Sequence, residues 1–188
     1  MMTRKTLIPL LVAAVCACST GEKEPPPVPR RTAYPRLVPY DTIRKADHVG
    51  PIAVTVNAEA ETSRPDEDWL TVKFPRYGAY LYLSTVQTSS PDELLAERVN
   101  RHRRVAINMG NARLKTDTLT TPAGYSCELM TCYEGVTAPV HFIAVTKKGT
   151  LVYGAFAHTG TTEPADSVRP YVDEFKKEAI EVIKSLKQ

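Results

Sequence analysis

The sequence predicts an α+β domain: a mainly antiparallel sheet packed by two long helices. Three observations carry that expectation. Residues 69–74 and 79–84 alternate apolar and polar positions on either side of a turn. Four further strand-like runs fall between residues 113 and 157. Two segments, 90–109 and 166–186, repeat apolar residues at steps of three and four.

Residues 1–18 have the layout of a bacterial lipoprotein signal. Arg4 and Lys5 give a positive start, residues 7–15 are a nearly unbroken apolar run, and small residues with a cysteine close it. The run is too short to span a bilayer comfortably. Cleavage of such signals needs a small residue ahead of the cysteine. Ala17 before Cys18 suits and Val15 before Cys16 does not, so Cys18 is expected to become the lipid-bearing N-terminus. A buried N-terminal helix is the competing reading, but no core helix needs an Arg-Lys pair before it and a Pro-rich polar tract behind. In residues 19–33, Pro25, Pro26, Pro27 and Pro29 impose extended polyproline geometry. Fifteen such residues reach on the order of 45 Å. They read as a tether, or alternatively as a docking motif for a proline-reading partner. Residues 34–188 then form a single domain within the roughly 170 residues left after cleavage, enough for a real core.

Charge excludes one class of function. The chain has 24 Lys and Arg against 21 Asp and Glu, a net charge of +3. Removing residues 1–18 takes away Arg4, Lys5 and no acid, which leaves +1. A near-neutral, secreted chain has no electrostatic case for nucleic acid.

Residues 34–49 read as irregular, because Pro35 and Pro39 deny helix and central strand alike; Tyr34, Leu37, Val38 and Tyr40 are apolar enough to lie against the domain. Residues 52–56 are a short β-branched strand. In the next pair Leu70, Val72 and Phe74 share one face, and Ala79, Leu81 and Leu83 share another with Tyr80 and Tyr82 opposite. Ser90, Pro91 and Glu93 open the first helix. Leu95, Val99, His102, Ala106 and Met109 form its stripe, and Gly110 is its stop. Strands follow at 113–119, 124–133, 140–146 and 150–157, with turns at 134–135 and 147–149. A three-residue second turn would set Phe142 opposite Gly154, its ring covering the bare backbone. The last helix is capped at Asp166 or Ser167 and tolerates Pro170 only near its first turn. Its stripe is Val168, Val172, Phe175, Ala179, Val182 or Ile183, and Leu186, with Asp173–Lys177 and Lys177–Glu181 at ion-pair spacing. The order hairpin, helix, meander, closing helix resembles the α+β sandwich of the Mog1/PsbP type, a likeness of architecture only.

Chemistry is sparse. No nucleophile elbow, phosphate loop or zinc-protease motif occurs, so no enzyme and no cofactor is expected. Cys127 and Cys132 lie on one predicted strand, where positions five apart face opposite ways and sit roughly 17 Å apart. A disulfide needs about 7 Å, so pairing requires a sharp bend. No histidine lies beside them for a metal. His48, His102, His141 and His158 are scattered; His141 and His158 are either neighbours across the last hairpin or caps of a sheet edge. Asp66, Glu67 and Asp68 lack calcium-loop spacing and read as a solvated loop. Arg101, His102, Arg103 and Arg104 either grip an anionic headgroup or acidic partner or, as such runs more often do, form a solvated helix face.

Several of these pieces together resemble the gliding-motility lipoprotein GldD family of the Bacteroidetes. Tyr34-Pro35-Arg36-Leu37-Val38-Pro39-Tyr40 after a lipoprotein tether is similar to that family's opening. Trp69-Leu70-Thr71-Val72-Lys73-Phe74-Pro75 followed by residues 79–83 resembles its paired strands, residues 146–156 its late hairpin, and residues 166–183 its closing helix. The likeness spans most of residues 34–188. Family members carry a cysteine before the first strand and another before the Trp, where this chain has Gly50 and Asp68; the acidic tract after the lipid cysteine is reduced to Glu22 and Glu24, split by Lys23. The resemblance implies a non-enzymatic accessory of the gliding and secretion machinery, lipid-anchored on the periplasmic face of the inner or outer membrane, with envelope proteins as partners. Exposed aromatic and basic residues are favoured at binding hot spots, so the candidate contacts are Tyr80, Tyr82, Arg101, Arg103 and Arg104. The alternative is a periplasmic lipoprotein that binds a small molecule or lipid, which a pocket lined by Tyr80, Tyr82 and Tyr153 would favour.

Overall fold

The computed structural model describes residues 37–108, 114–133, 138–159 and 165–188, all within the unit Ala33–Gln188. The expectations for the signal, Cys18, the tether, the helix stop at Gly110 and the turn at 134–135 lie outside the described residues. The fold is α+β with antiparallel pairing throughout. The order is β1 (Arg44–Val49), β2 (Ile52–Asn57), β3 (Glu61–Asp66), β4 (Trp69–Phe74), a 3₁₀ turn (Pro75–Tyr77), β5 (Ala79–Gln87), α1 (Pro91–Asn108), β6 (Leu114–Thr120), β7 (Ser126–Cys132), β8 (Val140–Val145), β9 (Thr150–His158) and α2 (Ala165–Ser185).

Seven strands form one sheet in the order β3-β4-β5-β9-β8-β7-β6. The β4–β5 hairpin pairs Trp69 with Ser84 through Phe74 with Ala79. Gly78 closes it in the left-handed region (φ 56°), where a side chain would be strained. The three-residue turn before β9 sets Phe142 opposite Gly154, as the turn length implies. A Cβ on Gly154 would meet the Phe142 ring at three carbons, so glycine is required there by close approach.

Two strands escape the apolar pattern. Residues 44–49, expected to be irregular, form β1 and pair with β2 as a separate two-stranded sheet. Only Val49 of β1 is fully buried, so the strand carries almost no apolar alternation to read. β3 has no apolar residue and is exposed along its whole length. Backbone pairing with β4 at the sheet edge holds it, with a register shift between Ser63 and Asp66 and Pro65 inside. The acidic residues 66–68 close this hairpin, and Asp68 accepts a hydrogen bond from the Thr85 hydroxyl at 2.7 Å instead of being merely solvated.

The main core lies between one sheet face, the β1–β2 hairpin and α2. Leu70, Val72, Leu81, Leu83, Phe142 and Phe156 from the sheet meet Val172, Phe175, Ala179, Val182 and Ile183 of α2 and Leu186 just past its end. On the opposite sheet face Leu94, Leu95 and Val99 of α1 lie over Met130, Ile143 and Leu151. α2 begins earlier than its cap signals suggest, so Pro170 stands inside the helix beyond the first turn. The expected Lys177 pairs are replaced. Lys177 bonds Glu174 at 2.6 Å, Glu181 bonds Lys184, and Asp173 accepts from the Tyr133 hydroxyl. Only the Tyr133 bond is tertiary. The other two are i,i+3 pairs on the same helix. Such exposed pairs contribute only a few tenths of a kcal/mol, so neither spacing is strongly favoured.

Cys127 and Cys132 both lie on β7, which pairs without a break to β6 and β8. No sharp bend brings them together. Burial pushes the Cys127 thiol up to about 12. His141 and His158 are neither neighbours nor edge caps: β8 and β9 are interior strands. His141 pairs with Ala155, and the His158 ring packs on Tyr171 of α2, on the other face.

Candidate functional site: an aromatic row, a histidine cluster and a cleft

Strand alternation puts Ala79, Leu81 and Leu83 into the core and leaves Tyr80 and Tyr82 half-exposed on the outer face. Their rings lie parallel with centroids 5.9 Å apart. Trp69, one strand over, extends the row, 6.1 Å from Tyr82. It is 38% exposed, and its indole N–H donates to the Thr71 hydroxyl at 3.1 Å. On the other side β9 sets Ala155 and Ala157 opposite Tyr82 and Tyr80, so the rings rise above small neighbours. Trp69 is the member that sequence reasoning missed; its position one before Leu70 assigns it to the outer face.

Arg101, Arg103 and Arg104 are exposed on α1. Arg101 is paired with Glu97 at 3.2 Å and Arg103 bonds the Asn100 side chain at 3.4 Å. Arg103 also lines a cleft with Thr116 of β6 and Glu128 of β7. That flank of α1 faces away from β5, because β9, β8 and β7 intervene in the sheet. The five residues named from the sequence therefore form two surfaces, an aromatic row and an arginine helix face.

Between α1 and the sheet lies a cluster no motif announces. The His102 and His141 ring centroids are 4.3 Å apart, and His102 stacks on Tyr153 at 5.7 Å. His141 Nε2 sits 2.7 Å from the Ala138 carbonyl, which can only accept, so Nε2 carries the proton. Nδ1 is then the acceptor for the Tyr153 hydroxyl, also at 2.7 Å. Both His141 nitrogens are committed, so it is not a metal ligand in this arrangement. Burial lowers His141 to about 4, with the neighbouring His102 adding to the effect. His102 is lowered by burial first, then by Arg98 and Arg101. Burial raises Tyr153 to about 12.

A cleft of about 220 Å³ opens where residues 40–44 cross α2. Phe74, Tyr77, Phe156 and Phe175 form its floor, and Arg44 and Glu178 its polar wall. The Arg44 guanidinium donates to both Glu178 oxygens (2.7 and 2.6 Å) and to the Thr55 carbonyl, while its buried Nε–H lacks a partner. Burial raises the Glu178 carboxyl above its ordinary value even beside Arg44. Among the described residues no serine, cysteine or histidine lines the cleft; its titratable lining is carboxylate, tyrosine, lysine and arginine. Neither this cleft nor the one under α1 is lined by Tyr80, Tyr82 and Tyr153.

Among the described residues no group of three or more His, Cys, Asp or Glu converges on a point, and no helix is long and apolar enough to cross a membrane. No family model matches the chain, and neither does any curated protein.

Proposed function

We propose that the chain is an envelope lipoprotein, anchored by lipid on Cys18 and held off its membrane by residues 19–33. Its domain acts by protein contact, not catalysis, as an accessory of the gliding and secretion machinery that the GldD resemblance implies. The observation that carries this reading is the Trp69–Tyr82–Tyr80 row on the uncovered part of the sheet. Tyr and Trp offer large rigid contact area at low entropic cost and are enriched at binding hot spots. The exposed Arg101, Arg103 and Arg104 face supplies a second contact region. The hairpin, helix, meander and closing helix support placing the fold with the Mog1/PsbP-type sandwich.

Two experiments test the reading. Cys18→Ala should move the protein from the membrane to the soluble fraction, whereas Cys16→Ala should not. Retention of the Cys18→Ala protein on salt-washed membranes would remove the anchor. Serine at both Tyr80 and Tyr82, and separately at the three arginines, should leave the fold intact. Each change should weaken recovery of envelope proteins crosslinked to the wild-type domain by about tenfold or more. Unchanged recovery with both variants would refute contact through these surfaces, and turnover of an envelope substrate by the purified domain would refute the non-enzymatic assignment.

A further inference from the structure

We propose that His102, His141 and Tyr153 form an acid-responsive latch that holds α1 on the sheet near neutral pH and releases that helix alone when the histidines take up protons. The geometry sets two imidazoles in contact, 4.3 Å between centroids, inside the layer that joins α1 to β8 and β9. At neutral pH the layer is satisfied: Ala138 accepts from His141, His141 accepts from Tyr153, and His102 stacks on Tyr153. A second proton on His141 puts charge where no carboxylate among the described residues answers it. From α1 it meets His102, with Arg98 and Arg101 beside that ring, and Arg101 is already held by Glu97. From β9 it meets Tyr153, and across the pairing Ala155. From β7 it meets Met130. Glu128, the next β7 side chain on that face, is bonded to the Thr118 hydroxyl.

The sign follows from the lowered histidines. Between the ordinary value of 6.5 and about 4 the docked form binds fewer protons than the released form. Docking is therefore complete above the ordinary value and is lost as pH falls through that window. Release stays local because α1 is thinly attached: Leu94, Leu95 and Val99 are only partly buried, over three fully buried residues. α2 sinks five side chains into the main core, with Leu186 just past its end adding another, none of them a histidine.

Hydrogen exchange of the full chain, corrected for the intrinsic pH dependence, reads the latch directly. Amides of α1 should exchange about tenfold faster or more at about pH 4.5 than at neutrality, while those of α2 stay protected. Loss of protection in both helices together, or in neither, overturns the proposal. His102→Leu combined with His141→Gln should abolish the differential. Because that variant can fail to fold, ring resonances of the unmutated protein provide a second decision. Both rings should titrate below the ordinary histidine range in step with α1 release, and a His141 ring that titrates at its ordinary value overturns the latch.

Discussion

Glu178→Ala is expected to destabilise the domain by about 3–5 kcal/mol, the usual effect of stranding one partner of a buried ion pair. Arg44 and Glu178 side chains are only 22% and 17% exposed. Removing the carboxylate leaves the guanidinium with the Thr55 carbonyl as its remaining acceptor and with an Nε–H that has none. The pair as a whole should contribute far less than that loss. Burial raises the Glu178 carboxyl, so the folded state holds its proton more tightly than the unfolded state does. That contribution is present below the unfolded value and is lost as pH rises through the folded one. At neutral pH desolvation therefore offsets much of the Coulomb attraction. Replacing both partners, Arg44→Met with Glu178→Leu, should fall within about 1–2 kcal/mol of wild type in urea unfolding. A double variant as unstable as Glu178→Ala would show that the pair itself, not the stranded charge, carries the stability.

Gly154→Val should cost about 3 kcal/mol, although valine in a strand interior ordinarily gains about 1 kcal/mol over glycine. The opposing effect is steric. The new Cβ would occupy space held by the Phe142 ring, which is fully buried. Trimming the ring should restore room, so Gly154→Val with Phe142→Leu should be more stable than the two single losses added together, by about 1–3 kcal/mol. Additive losses would exclude the ring as the obstacle. Denaturant midpoints of the four proteins complete the cycle.

Legibility tracked apolar periodicity. β4, β5, β7, β8, β9 and α2 bury regular sets of side chains, and their residues announce them. β1 and β3 are held by pairing, by Arg64 with Asp47 and by Arg44 with a residue 134 positions away, none of which leaves a local pattern. The outward direction of Tyr80 and Tyr82 was readable from alternation alone. The separation of the tyrosines from the Arg103 flank was not, because β9 enters the sheet between β5 and β8 from late in the chain. The same insertion brings Tyr153 and His141 under His102, and the cluster exists only once α1 is laid over those strands.

The run from Pro39 to Arg44 also has a mechanical reading. Tyr40 stands edge-on to Phe74 and Tyr77, with its hydroxyl accepting from the Arg76 N–H at 2.9 Å. The Asp41 carbonyl accepts from the Asn57 amide and the Ile43 carbonyl from the Ala58 N–H. Arg44 follows with its ion pair. These fastenings lie in series along the chain. Tension applied ahead of Leu37 must strip them one after another, ring packing first and the ion pair at the start of β1 last, before β1 unzips from β2. β1 does not belong to the seven-stranded sheet, so a tug on the N-terminal side reaches that sheet only through side-chain contacts such as Tyr40 on Phe74.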